Sequence, residues 1–177
     1  QMLVITMQDN NTKKITTFGV GEFTPSAETA EYDVDYIACK DEYTLLRTFL
    51  DWWRENTPDV ITGWNSALFD IPYLLARTER ILGEGEHKKF SPFDIVQKRK
   101  VRFVQREMTA YEIVGVAQLD YLDLYKKFTY VTRESYKLDF IAETELGKNK
   151  LESGFDTFKE FYEKDWNRFV EYNIGYS

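Results

Sequence analysis

Asn65 and Asp70 frame the run Ile61-Thr62-Gly63-Trp64-Asn65-Ser66-Ala67-Leu68-Phe69-Asp70-Ile71-Pro72-Tyr73. The run reads as the end of a β-branched strand, a glycine turn, and the start of a helix that carries a carboxylate. An open α/β sheet places its chemistry at such junctions, because the carboxyl ends of its strands open onto a crevice. A carboxylate there is an oxygen ligand for a hard divalent ion. Two such ions about 3.5–4 Å apart can activate water and stabilise a leaving oxygen, which takes several carboxylates converging from different elements. The competing reading is that Asp70 caps the helix that follows, since Asp is favoured at helix starts. Spacing alone favours the cap.

The elements that would position these residues are legible along the chain. Residues 2–7 and 15–23 are apolar and β-prone on either side of the turn-rich Gln8-Asp9-Asn10-Asn11, a hairpin signature. Residues 34–39 predict a third strand. Residues 41–56 carry Leu45, Leu46, Phe49, Leu50, Trp52 and Trp53 at helical spacing, with Pro58 ending the pattern. The tryptophans lie on the leucine stripe, which assigns them to the core rather than to a base-stacking platform. A strand is expected at 59–63 and a helix at 70–82, with Pro72 in its first turn and Gly83 as its stop. Residues 99–105 and 111–116 are β-prone, separated by 106–110. Helices are expected at 119–128 and 136–146, with a polar linker at 148–154 and one long amphipathic helix at 156–174. Strands first and strand–helix units after give an α/β domain built on a mixed sheet. The whole of 1–177 reads as a single domain.

The chain has 177 residues, 43% hydrophobic and 16% aromatic, which excludes a disordered chain. One cysteine, Cys39, excludes an internal disulfide framework and suits a reducing compartment. No apolar run reaches the length of a membrane span and no signal peptide is visible, so no membrane partner is expected. The lone histidine, His87, sits among glycines in Gly83-Glu84-Gly85-Glu86-His87 and reads as a loop residue rather than a ligand. That disfavours His-based zinc chemistry and Ser-His-Asp catalysis. The net charge of −7 argues against a nucleic-acid partner at first sight. Its distribution argues the other way. Residues 88–106 hold seven basic side chains (Lys88, Lys89, Lys98, Arg99, Lys100, Arg102, Arg106) and one acid, Asp94, so this segment is +6 and the remainder −13. A basic patch on an acidic body fits contact with phosphates at one face; a solvated basic loop is the plainer alternative.

Asn-x-x-x-Phe-Asp at 65–70 resembles the second exonuclease motif of family B DNA polymerases. Leu119-Asp120-Tyr121-Leu122-Asp123-Leu124-Tyr125-Lys126-Lys127-Phe128 is similar to the stretch that follows it in the T-even-type bacteriophage branch. Tyr172-Asn173-Ile174 resembles the opening of the third motif. The three come in order, and with Phe90-Ser91-Pro92 the resemblance spans nearly the whole chain.

The resemblance implies a ribonuclease-H-like 3′-5′ exonuclease fold with a basic β-hairpin inserted at about 98–117. It implies metal-dependent hydrolysis of phosphodiesters at a single-stranded DNA 3′ primer end, with Mg²⁺ or Mn²⁺ in a two-metal site. Asp70 matches a metal ligand and catalytic carboxylate, and Tyr172 a tyrosine that helps place the attacking water. Asn65 and Phe69 match residues at the DNA end, although a turn-bonding Asn and a core Phe are the plainer readings. Arg99, Lys100 and Arg102 would hold phosphate on the hairpin, which positions DNA without reading sequence. Asp120 and Asp123 read as structural, with Asp123 the nearer of the two to the site. The implied partners are DNA and the remainder of a polymerase chain, and the implied location is the cytoplasm, the host's for a phage-borne protein.

The pattern is also incomplete. No Asp-x-Glu of the first motif lies near the start, Asp33-Val34-Asp35 being the nearest lookalike, and Tyr176 stands where the third motif has Asp. Asp70 is then the one retained ligand of four. The expectations are a partial domain that is inactive as an isolated chain. A vacant strand position is expected to leave an open sheet edge prone to self-association. The rival reading is a non-catalytic DNA-binding or structural module with a dismantled carboxylate site.

Overall fold

A computed structural model describes all residues except 27–28, 104–105, 148–153 and 176–177. The chain divides into two compact units, Gln1–Phe49 with Leu151–Ser177, and Leu50–Lys150.

The first unit begins with β1 (Val4–Gln8) and β2 (Ile15–Val20), an antiparallel pair with Thr6 opposite Thr17. Their turn is set by Asp9, whose carboxylate accepts from the Asn11 N–H at 2.9 Å and the Thr12 hydroxyl at 2.8 Å. Such Asx bonding closes a turn locally. β3 (Val34–Cys39) lies parallel to β2, giving the order β1-β2-β3. Helix α1 (Glu42–Glu55) is capped by Asp41, which accepts from the Thr44 N–H at 2.8 Å. The first half of α1 buries Leu45, Leu46 and Phe49, the last edge-on to Phe18 at 5.2 Å between ring centroids.

The expected long C-terminal helix is two helices, α5 (Phe158–Lys164) and α6 (Trp166–Ile174). Asp165, at φ −143°, leaves the helical region, and its carboxylate accepts from the Arg168 N–H at 3.1 Å. An Asp that can cap offers the backbone an alternative to continuing the helix, and the apolar spacing persists across the break. Val170 and Ile174 of α6 pack with Ile15 of β2, surrounded by Val4, Phe23, Val34, Tyr36 and Trp166.

The second unit holds β4 (Val60–Gly63), α2 (Asp70–Leu82), a 3-10 turn at Glu86–Phe90, β5 (Val96–Phe103), β6 (Arg106–Ile113), β7 (Ala117–Asp120), α3 (Tyr121–Phe128) and α4 (Leu138–Leu146). β4 and β7 run parallel, with Gly63 opposite Asp120; β5 and β6 form a separate antiparallel hairpin. Trp53, 1% exposed, donates its indole N–H to the Phe90 carbonyl at 2.8 Å and meets the Phe90 ring edge-on. This places Trp53 in the core, as its leucine-stripe spacing predicts.

Three further features differ from the sequence expectation. The strands form three small sheets rather than one mixed sheet, within a mixed α/β fold. Residues 106–110, expected as a connection, belong to β6, which begins at Arg106. Residues 119–128, expected as one helix, begin in β7: the Ala117 N–H bonds the Asp59 carbonyl at 2.8 Å and the pairing runs on to Asp120, where α3 starts. A four-residue strand is too short to show its period in the sequence.

Candidate active site

The junction between β4 and α2 is a tight turn over 64–69. Gly63 is required at its mouth: a Cβ there would lie 2.9 Å from Ser66 Cβ. Asn65 takes the left-handed conformation, φ 60°, which Asn tolerates better than most residues. Its carbonyl accepts from the Leu68 N–H at 3.4 Å, and the Ser66 carbonyl accepts from the Ile71 N–H at 3.0 Å, tying the turn to the helix it precedes.

Asp70 is not the cap of α2. Phe69 occupies that position and its side chain makes no capping bond, while Asp70 is the first residue of the helix. The carboxylate is solvent-exposed, at the positive end of the helix dipole. Partial desolvation, and next the negative charge of Asp120, push its pKa above the ordinary carboxylate range. Phe69 is 52% exposed, so it is not a core residue; the buried stripe of α2 is Leu74, Leu75 and Thr78.

Asp70 borders an open groove of about 670 Å³. Leu68, Phe69, Pro72 and Tyr73 form one wall with it, and Met108, Thr109 and Tyr111 of β6 the other. The hairpin therefore supplies part of the groove, which the sequence alone does not foretell. Alternation along a strand sorts its cations. Lys98, Lys100 and Arg102 share one face with Tyr111, Thr109 and Glu107, their cross-strand partners. Arg99, paired with Ala110, points to the other face. All four are exposed. Lys98 bonds Glu79 of α2 at 2.9 Å and Lys100 approaches Glu107 at 3.4 Å. The latter pair is too exposed to hold Lys100 back from an anion.

Asp120 carries a role that the sequence gives only in outline. It is 9% exposed, and its carboxylate accepts from the backbone N–H groups of Asn65, Ala67 and Leu122 at 2.9, 3.0 and 3.0 Å. Asp120, rather than Asp123, is the acid whose charge reaches Asp70; Asp123 is exposed in the first turn of α3. The signal was available: an Asp directly before a helical run is a cap candidate.

Tyr172 belongs to the first unit, in an aromatic cluster where its ring meets Phe158 and Phe161 edge-on at 6.0 and 5.6 Å. Tyr176 lies outside the described residues. Among the described residues no three His, Cys, Asp or Glu side chains gather to hold a metal. Asp120 has its oxygens engaged by N–H groups, so Asp70 supplies one free carboxylate, and the described residues do not by themselves make a two-ion site.

The family model of "DNA polymerase family B, exonuclease domain" matches residues 3–141. The chain belongs to that family. It is 38% identical over 143 residues to the DNA-directed DNA polymerase of Escherichia phage RB69, covering 78% of this chain and 15% of that protein. It is 36% identical over 142 residues to the DNA-directed DNA polymerase of Enterobacteria phage T4, covering 80% of this chain and 16% of that one. A DNA polymerase of Thermococcus litoralis is 27% identical over 137 residues, covering 75% of this chain and 8% of its own length. The chain thus spans about a sixth of the phage polymerases it matches. No helix among the described residues of this exonuclease-domain chain is long and apolar enough to cross a membrane.

His87 of this exonuclease-family chain is in a short turn, as expected, but it is buried, 3% exposed. Its Nδ1 lies 3.3 Å from Glu79 Oε1 and its ring is edge-on to Tyr111. Burial holds its pKa below the usual histidine value, against the opposing pull of Glu79. A histidine with a depressed folded pKa binds fewer protons folded than unfolded. Its contribution to stability is complete above the unfolded value of about 6.5 and is lost as pH falls through the lower folded value. His87→Gln is expected to flatten the fall in melting temperature between neutral and mildly acidic pH. An unchanged slope in differential scanning calorimetry would assign that fall to other groups. Glu79, held low first by its bond from Lys98, loses its own contribution further down.

Proposed function

We propose that this chain is proofreading 3′-5′ exonuclease territory of a DNA polymerase of the T-even phage type, with the ribonuclease-H-like architecture of such domains. It hydrolyses phosphodiesters at a single-stranded DNA 3′ end, in the cytoplasm of the host cell, as part of a longer polymerase chain. The carrying observation is Asp70: an exposed, uncapped carboxylate at a strand-to-helix junction, at the edge of a groove, inside the matched exonuclease segment. Asp70 is one ligand for Mg²⁺ or Mn²⁺; hard oxygen donors suit either ion.

The other roles follow from position. Asn65 lies in the turn and Phe69 on the groove wall, where an exposed ring can stack on the terminal base. Lys100 and Arg102 share the hairpin face of the groove-lining Thr109 and support a phosphate path leading to Asp70. Arg99, on the other face, contacts phosphate outside that path. Tyr172 is the residue for placing water, supported by its motif match alone.

The test is release of mononucleotides from end-labelled single-stranded DNA by the polymerase that carries this domain, with blunt duplex as the comparison. Faster release from the single strand is expected, and no release from either would overturn the proposal. The hairpin is tested separately by binding. Replacing Lys100 and Arg102 with Glu is expected to weaken single-stranded DNA binding about tenfold or more at low salt. The slope of log affinity against log salt should become shallower by about 0.7 for each phosphate no longer neutralised. Unchanged affinity and slope in a fluorescence-anisotropy titration would make the patch a solvated surface. The module reading, DNA binding without catalysis, gains support if binding responds as stated while no nucleotide is released.

A further inference from the structure

The carboxylate of Asp120 spans two segments. Oδ1 accepts from the Asn65 and Leu122 N–H groups and Oδ2 from that of Ala67. A helix cap needs the bond from Leu122 and nothing more. The two bonds to Asn65 and Ala67 do nothing for α3; they fix the turn that leads to α2.

We propose that Asp120 is a positioning residue for Asp70, a clamp that fixes the turn over 64–69 and thereby the place and direction in which α2 presents its first carboxylate. The proposal rests on the reading of Asp70 as the working acid. Three observations carry it. The pairing of Gly63 with Asp120 brings the end of β7 beside the start of the turn. Asn65 holds a backbone conformation that costs a non-glycine residue about 1 kcal/mol or more, and its N–H is aimed at Asp120 Oδ1. The bond from Ile71 N–H to the Ser66 carbonyl passes any rotation of the turn to the helix start. An engaged carboxylate in this place is a poor ion ligand and a good anchor, because charge-assisted bonds to backbone N–H groups are strong and directional.

The experiment uses the polymerase that carries the domain, with Asp120→Asn, Asp123→Asn and Asp70→Ala. An amide in place of the Asp120 carboxylate turns an NH₂ toward an N–H and loses at least one of the three bonds. Asp120→Asn is expected to lower kcat for mononucleotide release by about 30-fold, since misplacing a reacting group by about 1 Å can cost about 100-fold. KM for single-stranded DNA should change much less than kcat, because Met108, Thr109 and Tyr111 of the hairpin wall keep their places. Asp123→Asn should leave both within about twofold. A second measurement needs no variant: hydrogen exchange read by mass spectrometry should show the Asn65 and Ala67 amides protected in the wild-type protein.

Asp120→Asn matching Asp123→Asn in kcat, or Asn65 and Ala67 amides exchanging at unprotected rates, would overturn the clamp. Should Asp70→Ala retain hydrolysis, the working-acid reading fails and the positioning role fails with it. Should Asp70→Ala be inactive and Asp120→Asn unimpaired, the positioning role alone fails.

Discussion

Asp70→Ala is expected to reduce 3′-end hydrolysis by about 10³-fold or more, about 4 kcal/mol of transition-state stabilisation, while strand synthesis by the same polymerase stays within about twofold. The carboxylate has no structural duty to confuse the result: Phe69 holds the cap position and Asp70 faces solvent. Asp70→Asn preserves size and removes charge, and should be nearly as inactive, because an amide is a poor ligand for a hard cation. The stability effect should have the opposite sign. An acid whose folded pKa is raised binds more protons folded than unfolded, so its ionisation opposes folding at neutral pH. Removing that charge should leave the domain equally or slightly more stable, the usual relation between a working carboxylate and the fold that carries it. Quenched-flow hydrolysis alongside thermal melts checks both. Full activity in either variant would reduce Asp70 to a solvated side chain.

The second large effect is on the core. Trp53→Ala is expected to destabilise the protein by about 3–5 kcal/mol, a fifth or more of the stability of an ordinary domain. The indole is almost wholly buried and its N–H is the partner of the Phe90 carbonyl. Trp53→Phe separates the contributions: it keeps a ring against Phe90 and removes the indole's hydrogen bond to that carbonyl, at a cost of about 0.5–1.5 kcal/mol. Urea unfolding followed by circular dichroism would show the ordering. A loss below about 1 kcal/mol for Trp53→Ala would place the tryptophan at a site able to collapse around the vacancy.

Local rules carried much of the fold. β3 and α2 fall at the residues the sequence predicts, because a β-branched run and a Pro-in, Gly-out helix are both decided within a few residues. The division of strands among three sheets was not legible, since partner choice depends on residues distant along the chain. The break at Asp165 went unread for a different reason. A cap and a solvent-facing helical Asp look alike until the backbone turns. At the site, motif order marked Asn65, Phe69 and Asp70, but spacing misjudged two of them. Asp70 resembled a cap, and Phe69 a core residue, because propensity carries no information on which way a junction faces. The contribution of β6 to the groove and the bonds from Asn65 and Ala67 to Asp120 are long-range, and neither leaves a periodic trace.

Ile15 and Val170 belong to one core cluster, although the whole of Leu50–Lys150 separates them along the chain. Synthesis runs in one direction, so the N-terminal sheet emerges from the ribosome long before α6 exists to cover it. The intervening unit is contiguous and can collapse on its own as it appears. The first three strands must wait with an apolar face unprotected, and closing so long a loop slows their completion. A stalled or truncated translation product would therefore hold a finished Asp70 turn beside an unfinished sheet, the half that a chaperone or protease would recognise first.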